Sequence, residues 1–423
     1  MLCKPIGRYD VSSRSMKAPE LLPHLFRTEY SKIVAVLCKT FGLSHMEIAE
    51  DIASETFLKA METWGLKGLP ANPAAWLYTV ARNKAKDHFK HTSVFESKIK
   101  DALRPDIGGI EEEIFEFSDQ NIADSQLAMI FTVCHPCNAP ESQISLALQI
   151  LCGFSVEEIA NAFLTHPETI KKRLQRARAN LADDHFLIRA LSESEITQRL
   201  DTVLKTLYLL FNEGYFSKTN DQLIRKDLCS EAIRLTLLLT NNAATSTPNA
   251  NALLALMCFQ SSRLDARTND KGEVILFDQQ DRNLWDKTLI EKGNNYLVNA
   301  CRGNEISKYH LEAAIAYWHT TSDVQNKWHH ILELYNQLII AEYSPITALN
   351  RTFALAKVQG HATAIREAEK LNLTDSNLYH SLLGYLYAGI DVNKAIDHYS
   401  KALELTKSPA QKQNLKTEIE RLS

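Results

Sequence analysis

Three sets of side chains could do chemistry. "FDQQDRNLWD" places Asp278, Asp281 and Asp286 within nine residues, and Glu213 lies in "FNEGY". Clustered carboxylates bind metal or share a proton; more commonly such a set forms caps and salt bridges at a helix junction. "CHPC" (Cys134, His135, Cys137) offers zinc donors, but no second pair stands at zinc-finger spacing. The third set is cationic. Arg82–Lys100 carries six basic residues against two acidic, and His166–Asn180 five against one. Between them, Asp101–Asp124 carries eight acidic residues against one basic. A net charge of −4 conceals this alternation, in which the basic blocks suit phosphates. There is no catalytic triad, P-loop or paired metal motif, so we expect no enzyme, no cofactor and no metal site.

The elements that position these side chains read as helices. The chain has 423 residues, too many for one core. Its 45% hydrophobic and 23% charged content is that of an ordinary globular protein. Apolar runs such as "TLYLLF" fall far short of the roughly 20 residues that span a bilayer. The N-terminus has no apolar h-region, and eight scattered cysteines suit reduced thiols in a cytosol. Glycine and proline are scarce (14 and 12). Apolar residues recur at i, i+3, i+4 and i+7, which predicts a nearly all-α fold.

The second basic block sits on a helix pair. Ser155 is a good N-cap, with Glu157 and Glu158 in the first turn. A helix over Val156–Phe163 would bury Val156, Ile159, Ala160 and Phe163. After the turn "LTHP", Pro167 opens a second helix with an apolar stripe of Ile170, Leu174, Ala177 and Leu181. His166, Glu168, Thr169, Lys171, Lys172, Arg173 and Arg176 are left to solvent. The pattern fits a DNA-reading helix-turn-helix, or equally a solvated basic helix in a bundle.

The first basic block follows two amphipathic helices, "HLFRTEYSKIVAVLCKTFG" and "SHMEIAEDIASETFLKAMETW". The latter is capped by Ser44 and carries Asp51, Glu55 and Lys59 along one face. Beyond the loop "GLKGLPANP", the helix "AAWLYTVARNKAKDHFKH" interleaves Trp76, Tyr78 and Phe89 with Arg82, Lys86, His88 and Lys90. Rings that stack on unpaired bases beside cations that track phosphates suit single-stranded nucleic acid. Core packing is the alternative for Trp76 and Phe89.

"AEDIASETFLKAMETW", "NPAAWLYTVARNKAKDHFK", the acidic stretch and "EEIANAF…ETIKKRLQRARANL" resemble, in that order, regions 2 and 4 of a bacterial RNA polymerase sigma factor of the sigma-70 family, extracytoplasmic-function class. "FTVCHP", "LYLLFNEGY", "LLALMCFQSSRLDAR", "EVILFDQQDRNLWD" and "YHLEAAIAYWHT" resemble a subgroup with a long helical C-terminal extension. The resemblance implies two partners, core RNA polymerase and promoter DNA, and a bacterial cytoplasmic location. Carried over residue by residue, Asp51, Glu55, Thr56 and Phe57 would face polymerase. Trp76, Arg82, Asn83, Lys86, Asp87 and Lys90 would engage the −10 element, with the loop Gly68–Pro73 near an unstacked base. Thr169, Lys171, Lys172, Arg173 and Arg176 would read the −35 element. The family's turn commonly holds a glycine where this chain has Leu164.

The expected organisation is a disordered lead (1–20), region 2 (21–95), an extended acidic linker (96–124), region 4 (125–188), a family-specific helical domain (189–290) and a tetratricopeptide-like helical domain (291–423). The linker is either a solvated tether or a phosphate mimic in the polymerase's basic channels. In "HSLLGYLYAGIDVNKAIDHYSKALEL", Leu383, Gly384, Tyr387, Ala395, Tyr399 and Ala402 fit a tetratricopeptide repeat, and "ALAKVQGHATAIREAEKL" is a weaker copy. Such a surface binds a protein or peptide ligand or packs within the chain. The other reading is a tetratricopeptide scaffold with a vestigial sigma body, for which the basic faces at 82–90 and 171–178 would have no use.

Overall fold

The computed structural model describes residues 18–42, 45–90, 116–163, 165–183, 192–216, 225–267, 275, 280–321, 325–406 and 409–423. Among these residues there is helix and no strand. They fall into two compact units, Met1–Glu195 and Ile196–Ser423. The expectations for residues 1–17, Ser44, 96–115, Leu164 and Asp278 lie outside the described residues.

Unit 1 begins with α1 (Ala18–Phe41), α2 (Met46–Lys67) and α3 (Pro73–Lys90). Helix α1 starts inside the span expected to be a disordered lead. Its residues Ile33 to Cys38 are all at most 1% exposed. An amphipathic helix shows one face to water, whereas here α2 and α3 cover one side and later helices the other. Helix α2 follows His45, which provides no side-chain cap. It buries Met46, Ala49, Ile52, Ala53, Thr56, Phe57, Ala60 and Trp64, a stripe at three- and four-residue spacing.

The second half of the unit comprises α4 (Asp119–Val133), α5 (Pro140–Leu146) with a π-helical turn (Ala147–Leu151), α6 (Val156–Ala162) and α7 (Pro167–Asp183). The linker expected to be extended through residue 124 is corrected here. The Ser118 hydroxyl accepts from the Asn121 amide, and α4 starts at Asp119. Ile122 is buried and the Lys39 ammonium donates to Asn121 at 2.9 Å, so this stretch packs against α1. After the π turn, Gly153 turns the chain at φ +70, a conformation that suits glycine. A Cβ there would touch Phe26 at 3.5 Å, so the same position needs a small residue.

Unit 2 contains α8 (Glu193–Phe216), α9 (Lys226–Asn241), α10 (Pro248–Ser261), α11 (Lys287–Ala300), α12 (Lys308–Thr320), α13 (Lys327–Ala341), α14 (Pro345–Gln359), α15 (His361–Leu371), α16 (Asn377–Tyr387), α17 (Val392–Leu405) and α18 (Pro409–Leu422). Helix α10 is apolar all round, with Ala250 to Phe259 buried without interruption. The boundary expected at 290/291 falls inside α11, whose Ile290, Tyr296 and Leu297 share one core with Leu256 and Phe259 of α10 and Ala313 and Ala316 of α12. From α12 onward each helix packs on the next, the one-dimensional arrangement of stacked repeats. The helices start on Ser, Thr and Asp caps, Thr247, Ser344, Ser376 and Asp391 among them.

Candidate nucleic-acid interface

Local signals build the helix pair. Ser155 accepts from the Glu158 amide at 3.1 Å, while the Glu158 carboxylate accepts from the Ser155 amide at 2.8 Å. That reciprocal capping box fixes where α6 starts. The α6 core is Ile159, Ala160 and Ala162, whereas Val156 and Phe163, expected inside, are half-buried. On α7, Ile170, Leu174, Ala177 and Leu181 are at most 4% exposed. The Asn138 side chain donates to the Ala177 carbonyl at 3.0 Å, which holds the middle of α7.

With that stripe inward, Thr169, Lys171, Lys172 and Arg176 stand exposed. Lys171 pairs with Glu168 at 2.9 Å, and this bond holds the Glu168 carboxyl below the usual range. Arg173, expected in solvent, is half-buried, with its guanidinium 5.7 Å from the Phe163 ring centre. It braces the turn, so Lys172 and Arg176 are the cations most open to an approaching phosphate.

On α3, Trp76, Asn83 and Asp87 lie along one face at i, i+7 and i+11, with Arg82 and Lys86 on the adjoining face. Trp76 is half-buried and packs edge-on against buried Trp64, centres 5.2 Å apart. Asn83 and Asp87 are exposed; Arg82 and Lys86 are partly so. The side chains of Phe89 and Lys90 lie outside the described residues. Tyr78 is removed from the base-stacking set. Its ring stacks on Phe117 at 4.9 Å and its hydroxyl donates to Glu29.

The expected polymerase face divides in two. Asp51 and Glu55 are exposed, but Thr56 and Phe57 are core residues. The Thr56 hydroxyl donates to the Ile52 carbonyl at 2.7 Å, and Phe57 packs edge-on against Phe26. They lie roughly 100° and 200° around the helix from Glu55, on the stripe facing α1. Lys84, which the motif comparison did not single out, pairs with Glu55 at 2.6 Å. Asp51 and Glu55 also share an open groove of about 420 Å³ with Lys84, Asp87 and His88. Asp87, expected at the −10 element, therefore lies beside the expected polymerase face.

A further contact was not legible in the sequence. Arg178 of α7 reaches α2, with Nη2 at 2.8 and 2.9 Å from the Glu50 carboxylate oxygens and 2.9 Å from Gln149 Oε1. Burial pushes the Glu50 carboxyl up, while the Arg178 charge and hydrogen bond pull it down.

The carboxylate cluster of unit 2 serves as caps: Asp281 accepts from the Asn283 amide and Asp286 from the Leu289 amide. Glu213 is half-buried on α8. Cys134 is buried and Cys137 exposed, and among the described residues no three His, Cys, Asp or Glu are grouped to hold a metal ion. No described helix is long and apolar enough to cross a membrane.

Residues 25–94 match the Sigma-70 region 2 family, and residues 199–301 match a family of unknown function (DUF6596). "Uncharacterized protein R00370" of Rhizobium meliloti is 33% identical over 347 residues, which is 81% of this chain and 82% of that protein. The ECF RNA polymerase sigma factor BldN of Streptomyces coelicolor is 32% identical over 135 residues, 32% of this chain and 49% of BldN. No solved structure matches the chain. The chain belongs to the sigma-70 family, in its extracytoplasmic-function type, and carries a C-terminal helical extension.

Proposed function

We propose that this protein binds core RNA polymerase and directs promoter-specific initiation in the bacterial cytoplasm, with no catalysis of its own. Asp51 and Glu55 meet polymerase. Trp76, Arg82, Asn83, Lys86, Asp87 and Lys90 engage the −10 element, where holding an unstacked base offsets part of the cost of melting. Thr169, Lys171, Lys172 and Arg176 approach the −35 element, with Arg173 bracing their helix. The observation that carries the reading is α7, which buries its whole apolar stripe and leaves Lys172 and Arg176 exposed behind a capped α6. A bundle helix has no need of that arrangement. Run-off transcription with core polymerase and a promoter pool tests it: we expect transcripts above those of core alone. Their absence with folded protein would overturn it.

Unit 2 acts as a regulatory or protein-interaction module. Its helices stack neighbour on neighbour, and the α16–α17 hairpin has the small-residue and tyrosine spacing of a tetratricopeptide unit. A fragment ending at Leu191 tests this role. We expect its promoter-specific transcription to differ from that of the full chain, and an unchanged level would remove any obligatory role for the extension.

A further inference from the structure

We propose that the Glu50–Arg178 contact is an autoinhibitory latch, closing the two promoter-reading halves of unit 1 on one another until core polymerase separates them. The inference rests on the polymerase- and promoter-binding reading above. The ion pair joins α2 to α7 across 128 residues of sequence, with only 15% of the Glu50 side chain and 20% of the Arg178 side chain exposed. Such a pair adds little net stability because both charges are desolvated, but it is geometrically demanding: removing one partner strands a buried charge. It is also placed to sense polymerase. Glu47, Asp51 and Glu55 form a row at i, i+4 and i+8 on α2, and Arg178 stands 3.9 Å from Glu47 at one end of that row. A partner docking on Asp51 and Glu55 competes with Arg178 for the same helix.

Distance makes opening obligatory. Promoter elements named −10 and −35 are separated by about 25 base pairs, roughly 85 Å of duplex at 3.4 Å per pair. A compact unit of this size spans only about 40 Å, so the closed form cannot place α3 and α7 on both elements together. The chain between the halves suffices for the move, since residues 91–117 would reach about 90 Å if fully extended. Opening would uncover the side of α1 that α4 and the π turn now cover.

Cys38 provides the readout. It is fully buried on α1, close enough to Glu50 and Arg178 to feel both charges. Cys258, buried in unit 2, serves as an internal control. The full chain is treated with a maleimide and the labelled cysteines are followed by mass spectrometry. We expect Arg178→Glu to speed Cys38 labelling about tenfold or more with Cys258 still protected. Adding Glu50→Arg to that variant restores the slow rate, and saturating core polymerase accelerates Cys38 in the wild type. Wild-type protection of Cys38 in Arg178→Glu overturns the latch, as does simultaneous reaction of Cys38 and Cys258, which would make the pair a support of the fold. A wild-type chain giving no run-off transcript overturns the underlying reading, whereas a transcribing chain with Cys38 still protected overturns the latch alone.

Discussion

Gly384 of α16 lies flat against the Tyr399 ring of α17, so close that an added Cβ would stand 2.6 Å from the ring's Cδ1. Tyr399 is 5% exposed and packs with Ala402 and Leu415, which leaves the ring little room to yield. Gly384→Ala should therefore destabilise unit 2 by about 1–3 kcal/mol. Calorimetry would show its transition lowered by several degrees, and an unshifted transition would mean that the ring rotates away freely.

Glu312 makes stability depend on pH. The Tyr208 hydroxyl donates to its carboxylate at 3.0 Å, but burial dominates and pushes the carboxyl up to about 7 from an ordinary 4.5. Between those values the folded state holds a proton that the unfolded chain has released. Stability is therefore full below 4.5 and is lost as pH rises through 7, by about 3 kcal/mol. Glu312→Gln keeps an acceptor for Tyr208 and should remove this slope. Urea melts at pH 5 and pH 8 would then differ less for the variant than for the wild type.

Lys172→Ala combined with Arg176→Ala should weaken promoter binding about 10- to 100-fold, as loss of two DNA contacts implies. Affinity for core polymerase should stay unchanged. Fluorescence anisotropy on promoter DNA and a core-binding assay separate the two, and equal losses would show that α7 is misassigned.

Thr56→Val tests the corrected polymerase face. It removes a buried hydroxyl that bonds only its own helix, so core affinity should remain at the wild-type level. Asp51→Ala with Glu55→Ala should lower that affinity, and parity between the two variants would return Thr56 to the interface.

Ser155→Ala removes half of the capping box and should cost unit 1 about 1 kcal/mol. Glu158→Ala removes the other half, and thermal melts of the pair of variants would show whether the two losses are coupled.

What could be read in advance follows from where each signal resides. Ser155, Pro167 and the Ile170–Leu181 stripe act within one or two turns, so the helix pair was legible. Asp281 and Asp286 were likewise legible as caps rather than metal ligands. Thr56 and Phe57 were misassigned because a motif records order along the chain, not direction around a helix. The spacing of Ala49, Ile52, Ala53, Thr56, Phe57 and Ala60 held the correction. The start of α4 was hidden because eight acidic residues drew attention from Ser118, a cap in plain view. Glu50–Arg178 had no local signature, since nothing near either residue specifies a partner 128 positions away.

The π turn at Ala147–Leu151 makes the length of that segment matter more than its composition. A π turn closes one residue wider than an α turn. Deleting one residue there would restore ordinary pitch and rotate everything downstream by about 100°. Conservative exchanges among Ala147, Leu148, Ile150 and Leu151 should be tolerated, while a single codon lost from this stretch would swing α7 off its bearing and carry Arg178 away from Glu50.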